Sequence, residues 1–374
     1  MKQIKGFMLI VILFLKFGLN AQEISFSKEL LSTNDKNIQD IMELWKSNIN
    51  DNIKGFVLKD KSIVAQHWSI DEVKKGWIDI AKDNFSSVVP IYLYGETITF
   101  DVRKITDELY EIRSLILQTD SIGKNVLLIF RTNAVRTENG FKLSNYFFQN
   151  KNQLNKVSTN CIDYYFDNEF VFDKKYVEES DKFLNDLVKL YNFEVMNKIT
   201  YVVGSSLSSA NRLLGFDFTI RNVDHPYAAY FLRDQRIIVT SQINHKHELT
   251  HSVFETLYPN AHRLFQEGVA TYYGGSLGLD YSYDKIVLKK IVIAEPNIDL
   301  SNVWELEFID KNTNTNTFYT IGAVLIEIAL EQGGTKKVND LFKHPSNDWK
   351  LVVNEVLGIS IENFNETLKQ HLTK

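Results

Sequence analysis

Two spacings of apolar residues alternate along the chain. Over residues 37–50 they recur at helical intervals, through Ile38, Ile41, Met42 and Trp45. Ser69 then stands as an N-cap before a second helical run, 70–82, with Trp77 and Ile78 facing inward. After that the chain turns to strand composition. Residues 90–102, 109–118, 126–135 and 141–148 are rich in Ile, Val, Phe and Tyr, and predict a four-stranded antiparallel meander. Asn139-Gly140 predicts a tight hairpin, and 121–125, with Gly123, a longer turn.

A polar stretch, 149–160, reads as a linker. Beyond it the pattern predicts a strand at 162–166, a helix at 175–191, a strand at 199–203 and a short helix at 208–214 ended by Gly215. Residues 227–232 and 236–240 predict a hairpin, and periodicity leaves open whether it borders a cleft or lies inside the sheet. A helix follows and stops near Tyr258-Pro259-Asn260, because the residue before proline disfavours helix. A second runs from His262 to Gly274-Gly275. The rest is helical: 283–294, then 317–331 ending at Gly333-Gly334, 349–357 ending at Gly358, and a last helix capped by Ser360. The class is α+β. One domain, 22–150, carries helices and a cone-like meander. A second, 158–374, has a mixed sheet and a mostly helical C-terminal half. The first is similar in pattern to ketosteroid isomerase-like folds. It holds no evident acid, base or metal cluster, which predicts a structural or substrate-positioning role.

Composition changes this picture little. Hydrophobic residues make up 44% and charged residues 24%, as in globular rather than disordered chains. The net charge is -5, and loss of the first 21 residues, with three lysines and no acid, makes it -8, which argues against a nucleic-acid partner. That stretch reads as a signal peptide: Lys2 and Lys5 lead an apolar run, 7–15, and Leu19-Asn20-Ala21 offers a cleavage site before Gln22. The run is short for a bilayer span and Lys16 interrupts it, so export to the periplasm or medium is expected, without stable membrane insertion after cleavage; the alternative is an uncleaved membrane anchor. Cys161 is the sole cysteine, so no internal disulfide can form, and it reads as a buried small hydrophobe.

The chemistry concentrates at His247-Glu248-Leu249-Thr250-His251, followed by Glu267-Gly268-Val269-Ala270. Positions i and i+4 share one helix face, so His247 and His251 can aim at one metal ion. Neutral imidazole is a favoured zinc ligand, and a catalytic zinc takes three protein ligands and one water. Glu248 lies beside the pair, where it can take a proton from water. Antiparallel helices joined by a short turn would return Glu267 to the histidines. His245 and His262 read as exposed loop residues.

On these residues, 158–374 resembles the gluzincin metallopeptidases of the peptidase MA-like group, akin in plan to thermolysin and aminopeptidase N. The resemblance implies one zinc per chain on His247, His251 and Glu267, with Glu248 as general base. The interval from His251 to Glu267 is shorter than in either relative. Thr271 stands where thermolysin-like enzymes carry an acid that orients a histidine, so that partner is unassigned. Aminopeptidase N-like enzymes use a tyrosine to stabilise the tetrahedral oxyanion. Tyr319 is the candidate here, ahead of Tyr272 and Tyr273, and a packing role for it stays open. The Gly-x-Met-x-Asn outline that reads a substrate amino terminus is absent upstream of His247. The expectation is therefore a zinc endopeptidase or oligopeptidase acting on peptides or proteins. The alternatives are an aminopeptidase and a zinc-bound protein that holds peptides without cleaving them. Nothing in the chain indicates its oligomeric state.

Overall fold

The computed structural model describes residues 24–83, 89–119, 121, 123–194, 197–220, 226–307, 309–310, 313 and 315–373. The expected signal segment, 1–21, lies outside them. The fold is α+β. Among the described residues no helix is long and apolar enough to cross a membrane. The chain forms two compact units: 1–154 with 211–223, and 155–210 with 224–374. The excursion 211–223, read from sequence as part of the second domain, thus belongs to the first unit.

In the first unit, α1 spans Lys36–Leu58. Asp35 caps it by accepting from the backbone N–H groups of Asn37 and Ile38, and Lys59 ends it in the left-handed region. Its Ile41, Met42, Trp45 and Ile49 are buried at i, i+3 and i+4 spacing. The run expected at 70–82 is shorter: a helix, Ile70–Lys75, stops where Gly76 takes φ 73°, a conformation only glycine adopts freely.

The meander is β1 (Glu96–Lys104), β2 (Leu109–Thr119), β3 (Lys124–Thr137) and β4 (Gly140–Asn145), antiparallel throughout. The expected strand at 90–102 begins later, because Ile91–Leu93 forms a 3-10 turn after Pro90. The β3–β4 hairpin turns on Glu138-Asn139, and Gly140 pairs with Thr137. The two-residue strand Ser25–Phe26 pairs parallel with β1, and Phe216–Thr219 pairs antiparallel with β3. Trp45 closes α1 onto the sheet, its indole N–H lying 3.0 Å from Thr99 Oγ1 and 3.2 Å from Ser114 Oγ.

A buried polar network accompanies this core. Asp79 accepts from Asn52 Nδ2 (2.9 Å), Asn48 Nδ2 (3.2 Å) and the Tyr92 hydroxyl (2.9 Å). Each carboxylate oxygen has a donor, as a buried acid requires. Sequence alone did not single out this group, since its members lie far apart along the chain.

The second unit has a five-stranded sheet. Its strands are β5 (Asn155–Ser158), β6 (Ile162–Phe166), β7 (Ile199–Val203), β8 (Ala229–Leu232) and β9 (Ile237–Thr240). The order is β8-β9-β7-β6-β5, with β9, β7 and β6 parallel and both ends antiparallel. The boundary between the two units, after Leu154, falls inside the polar stretch expected as a linker, which also holds the end of a short helix, Tyr146–Asn150, and then β5. Backbone pairing with β6 needs no apolar side chain, so polarity did not exclude a strand. The hairpin left open by periodicity puts β8 at the end of the order.

Helix α2 (Lys174–Leu190) buries Val177, Leu184 and Leu187. Then come α3 (Lys246–Leu257), α4 (Arg263–Gly274), α5 (Tyr281–Ala294), α6 (Thr317–Lys343), α7 (Trp349–Leu357) and α8 (Ile361–Thr373). The backbone leaves helical geometry at Gly333 and Gly334 inside α6, where a helix end was expected. One core joins these elements, with Leu249, Phe254, Phe265, Val269, Phe318 and Val324 at or near zero exposure.

Candidate metal centre

Local contacts set the start of α3. The Tyr201 hydroxyl on β7 donates to the Gln242 carbonyl at 2.6 Å and accepts from the His245 backbone N–H at 3.1 Å. His245 is the N-cap, its Nδ1 accepting from the Glu248 N–H at 3.4 Å. Its Nε2 lies 3.0 Å from the Tyr227 carbonyl. His262 caps α4 in the same way, with Nδ1 3.1 Å from the Leu264 N–H. Both residues, expected to be exposed loop histidines, are half-buried caps. Accepting at Nδ1 requires the neutral ring. Burial lowers the pKa of both, that of His262 to about 4.

Glycines bring the site helices together. A Cβ at Gly274 would overlap the backbone of Lys246 and His247, so the end of α4 packs onto the first turn of α3. A Cβ at Gly268 would lie 2.8 Å from the Gly322 Cα, so α4 and α6 meet backbone to backbone.

His247, His251 and Glu267 converge within this frame. The two Nε2 atoms are 3.1 Å apart. Glu267 Oε2 is 3.4 Å from His247 Nε2 and 3.3 Å from His251 Nε2. Tetrahedral ligands about 2.0–2.1 Å from a zinc ion lie about 3.3–3.4 Å from one another. The triangle therefore has the right size. Glu267 Oε2 is buried without a hydrogen bond, as a metal-ligand atom would be. Burial alone would raise the Glu267 carboxyl, but the His251 charge overrides it and holds it well below the usual range. Burial likewise works against charge on His251, and Glu267 and Glu255 outweigh it, holding the imidazole well above its ordinary value.

The sequence left the groups behind the two histidines unassigned, and the structure shows which groups lie there. His247 Nδ1 lies 2.7 Å from the Gly275 carbonyl. His251 Nδ1 lies 3.1 Å from Glu255 Oε1. Thr271, one turn after Glu267, is fully buried with its hydroxyl unpartnered. Arg263 was also missed. Its Nε is 3.5 Å from Glu267 Oε1, and its Nη2 is 2.7 Å from Glu307 Oε1. The i, i+4 spacings His251–Glu255 and Arg263–Glu267 were the available signals.

Glu248 is 7% exposed. Its carboxylate makes no hydrogen bond or ion pair among the described residues, although its charge is felt at Tyr319. The Tyr319 ring stacks on His247, with centroids 5.8 Å apart and 19° between planes. The Glu267 charge and then burial hold its hydroxyl well above the usual tyrosine value, so it stays protonated. The other tyrosine candidates are engaged elsewhere. Tyr273 pairs its hydroxyl with Tyr191 at 2.9 Å, and the Tyr272 ring packs against Tyr273 and Tyr281. Beside His247 is a cavity of about 200 Å³ whose lining includes Tyr227, Gln242, Asn244 and Asp280.

A second group with metal-ligand chemistry is Glu327, Glu331 and His371. There Glu327 Oε2 already takes Lys285 Nζ (2.7 Å), the Tyr281 hydroxyl (2.7 Å) and His371 Nε2 (3.0 Å). Lysine supplies the positive charge, and the cluster ties α5, α6 and α8 together. The chain matches no protein-family model, and no curated protein matches its sequence.

Proposed function

We propose that this chain is a zinc metallopeptidase. It would hydrolyse internal bonds of peptides or unfolded proteins, with His247, His251 and Glu267 holding one zinc per chain. The observation that carries this reading is the triangle of ligand atoms, 3.1–3.4 Å on a side, with Glu248 on the same helix. Zinc, when bound, would polarise the scissile carbonyl and bring the pKa of water toward neutrality. Glu248 takes the proton of the attacking water on its free carboxylate and delivers it to the leaving nitrogen. Tyr319 Oη, kept protonated, donates to the oxygen that becomes negative. Arg263 steadies Glu267 through Oε1 and leaves Oε2 for the metal. The lysine-led apolar run at 7–15 supports export, with the mature chain starting near Gln22.

Metal content and cleavage are measured together on wild type, Glu267→Ala and Glu248→Gln. Wild type should hold one zinc and digest a mixed peptide library at internal bonds. Glu267→Ala should lose zinc. Glu248→Gln should keep zinc and fall in rate by roughly a hundredfold or more. A wild type that binds zinc and peptides but cleaves nothing would make it a peptide-binding protein, and release of single N-terminal residues would make it an aminopeptidase.

A further inference from the structure

A histidine that offers Nε2 to a metal must carry its proton on Nδ1, and the partner of that proton sets the ring's tautomer, orientation and basicity. In this chain the two histidines have different partners. His247 faces a neutral acceptor, the Gly275 carbonyl, at 2.7 Å. His251 faces a carboxylate, Glu255 Oε1, at 3.1 Å.

We propose that Glu255 is the positioning residue for His251, holding its Nδ1–H so that Nε2 is presented to the metal. This rests on the metallopeptidase reading above and names a residue that reading does not need.

Three observations carry it. His251 Nε2 lies 3.3 Å from Glu267 Oε2, and its buried Nδ1, which makes no aligned hydrogen bond, has the Glu255 carboxylate 3.1 Å away as its ion-pair neighbour. Glu255 lies against the nitrogen turned away from the triangle, so it is not itself a ligand. It also has no other ion pair or hydrogen bond among the described residues, and its side chain is 26% exposed, so no separate structural duty explains its place. The position expected to supply an acid, Thr271, has a hydroxyl with no partner. The carboxylate lies instead on the zinc helix itself, one turn beyond the second histidine. A charged acceptor is a stronger partner than a carbonyl.

The experiment uses full-length protein as wild type, Glu255→Gln and Glu255→Ala, loaded with zinc or cobalt(II). Zinc affinity is read by competition with a chromophoric chelator. The proton spectrum of the cobalt form reports the two ligand Nδ1–H groups as separate shifted resonances. Glu255→Ala should bind zinc ~10–100-fold more weakly and lose one of the two resonances to solvent exchange. Glu255→Gln, which keeps a carbonyl acceptor and the side-chain shape, should fall between the two and guards against misfolding in the alanine variant. A wild type that takes up neither metal would overturn the metallopeptidase reading, and the positioning role with it. A wild type that binds both, beside variants with unchanged affinity and both resonances intact, would overturn the role of Glu255 alone.

Discussion

Gly268 and Gly322 touch backbone to backbone, and the same helix crossing brings Tyr319 against His247. A Cβ on either would lie 2.8 Å from the other's Cα. Gly268 follows Glu267 directly, and Gly322 sits three residues after Tyr319, so the crossing of α4 and α6 places the carboxylate and the phenol side by side.

Adding one carbon should therefore disturb both stability and catalysis. Gly322→Ala is expected to cost about 1–3 kcal/mol, as overpacking in a tight core does. A shift of Tyr319 by about 1 Å should lower peptide cleavage by about a hundredfold. Urea denaturation and steady-state rates read the two effects. Unchanged values in both would mean that the helices are not in this contact.

Removing only the Tyr319 hydroxyl isolates its chemistry from its packing. Tyr319→Phe keeps the ring stacked on His247 and loses the donor. We expect kcat to fall ~100–1,000-fold, the scale for one oxyanion donor, with zinc content and KM near wild type. A phenylalanine variant with full kcat would return Tyr319 to a packing role.

Asp284 should make stability depend on pH. It is 1% exposed, neither carboxylate oxygen has a partner, and burial followed by the Asp280 charge pushes it up to about 7 from 3.8. The folded form holds the proton more tightly than the unfolded form. The stabilisation is thus fully present below pH 3.8 and is lost as pH rises to about 7. His262 acts in the opposite sense, because its folded pKa of about 4 lies below the ordinary 6.5, so it costs stability as pH falls between those values. The raw profile mixes the two, and the difference between wild type and Asp284→Asn separates them. Relative to the variant, wild type should lose stability from about pH 4 to pH 7 and then level off. Parallel urea midpoints for the two proteins across that range would show that Asp284 does not titrate as described.

Glu255 and Thr271 mark the limit of what could be read before folding. The H-E-x-x-H spacing already places His247 and His251 on one face, because a helix turns through a fixed angle per residue. Pro259 and Gly358 mark helix ends by equally local rules of backbone geometry. The α+β class and the order of most elements follow from periodicity in the same way. The His251–Glu255 spacing was visible too, but which of the two ring nitrogens the carboxylate faces is decided only when the chain has folded. Three other features belong to tertiary packing alone: Gly275 behind His247, Phe216–Thr219 paired to β3, and Gly268 against Gly322. The groups concerned are backbone atoms and hydrogens in place of side chains. They leave no mark in the pattern of polar and apolar residues until the chain has closed around them.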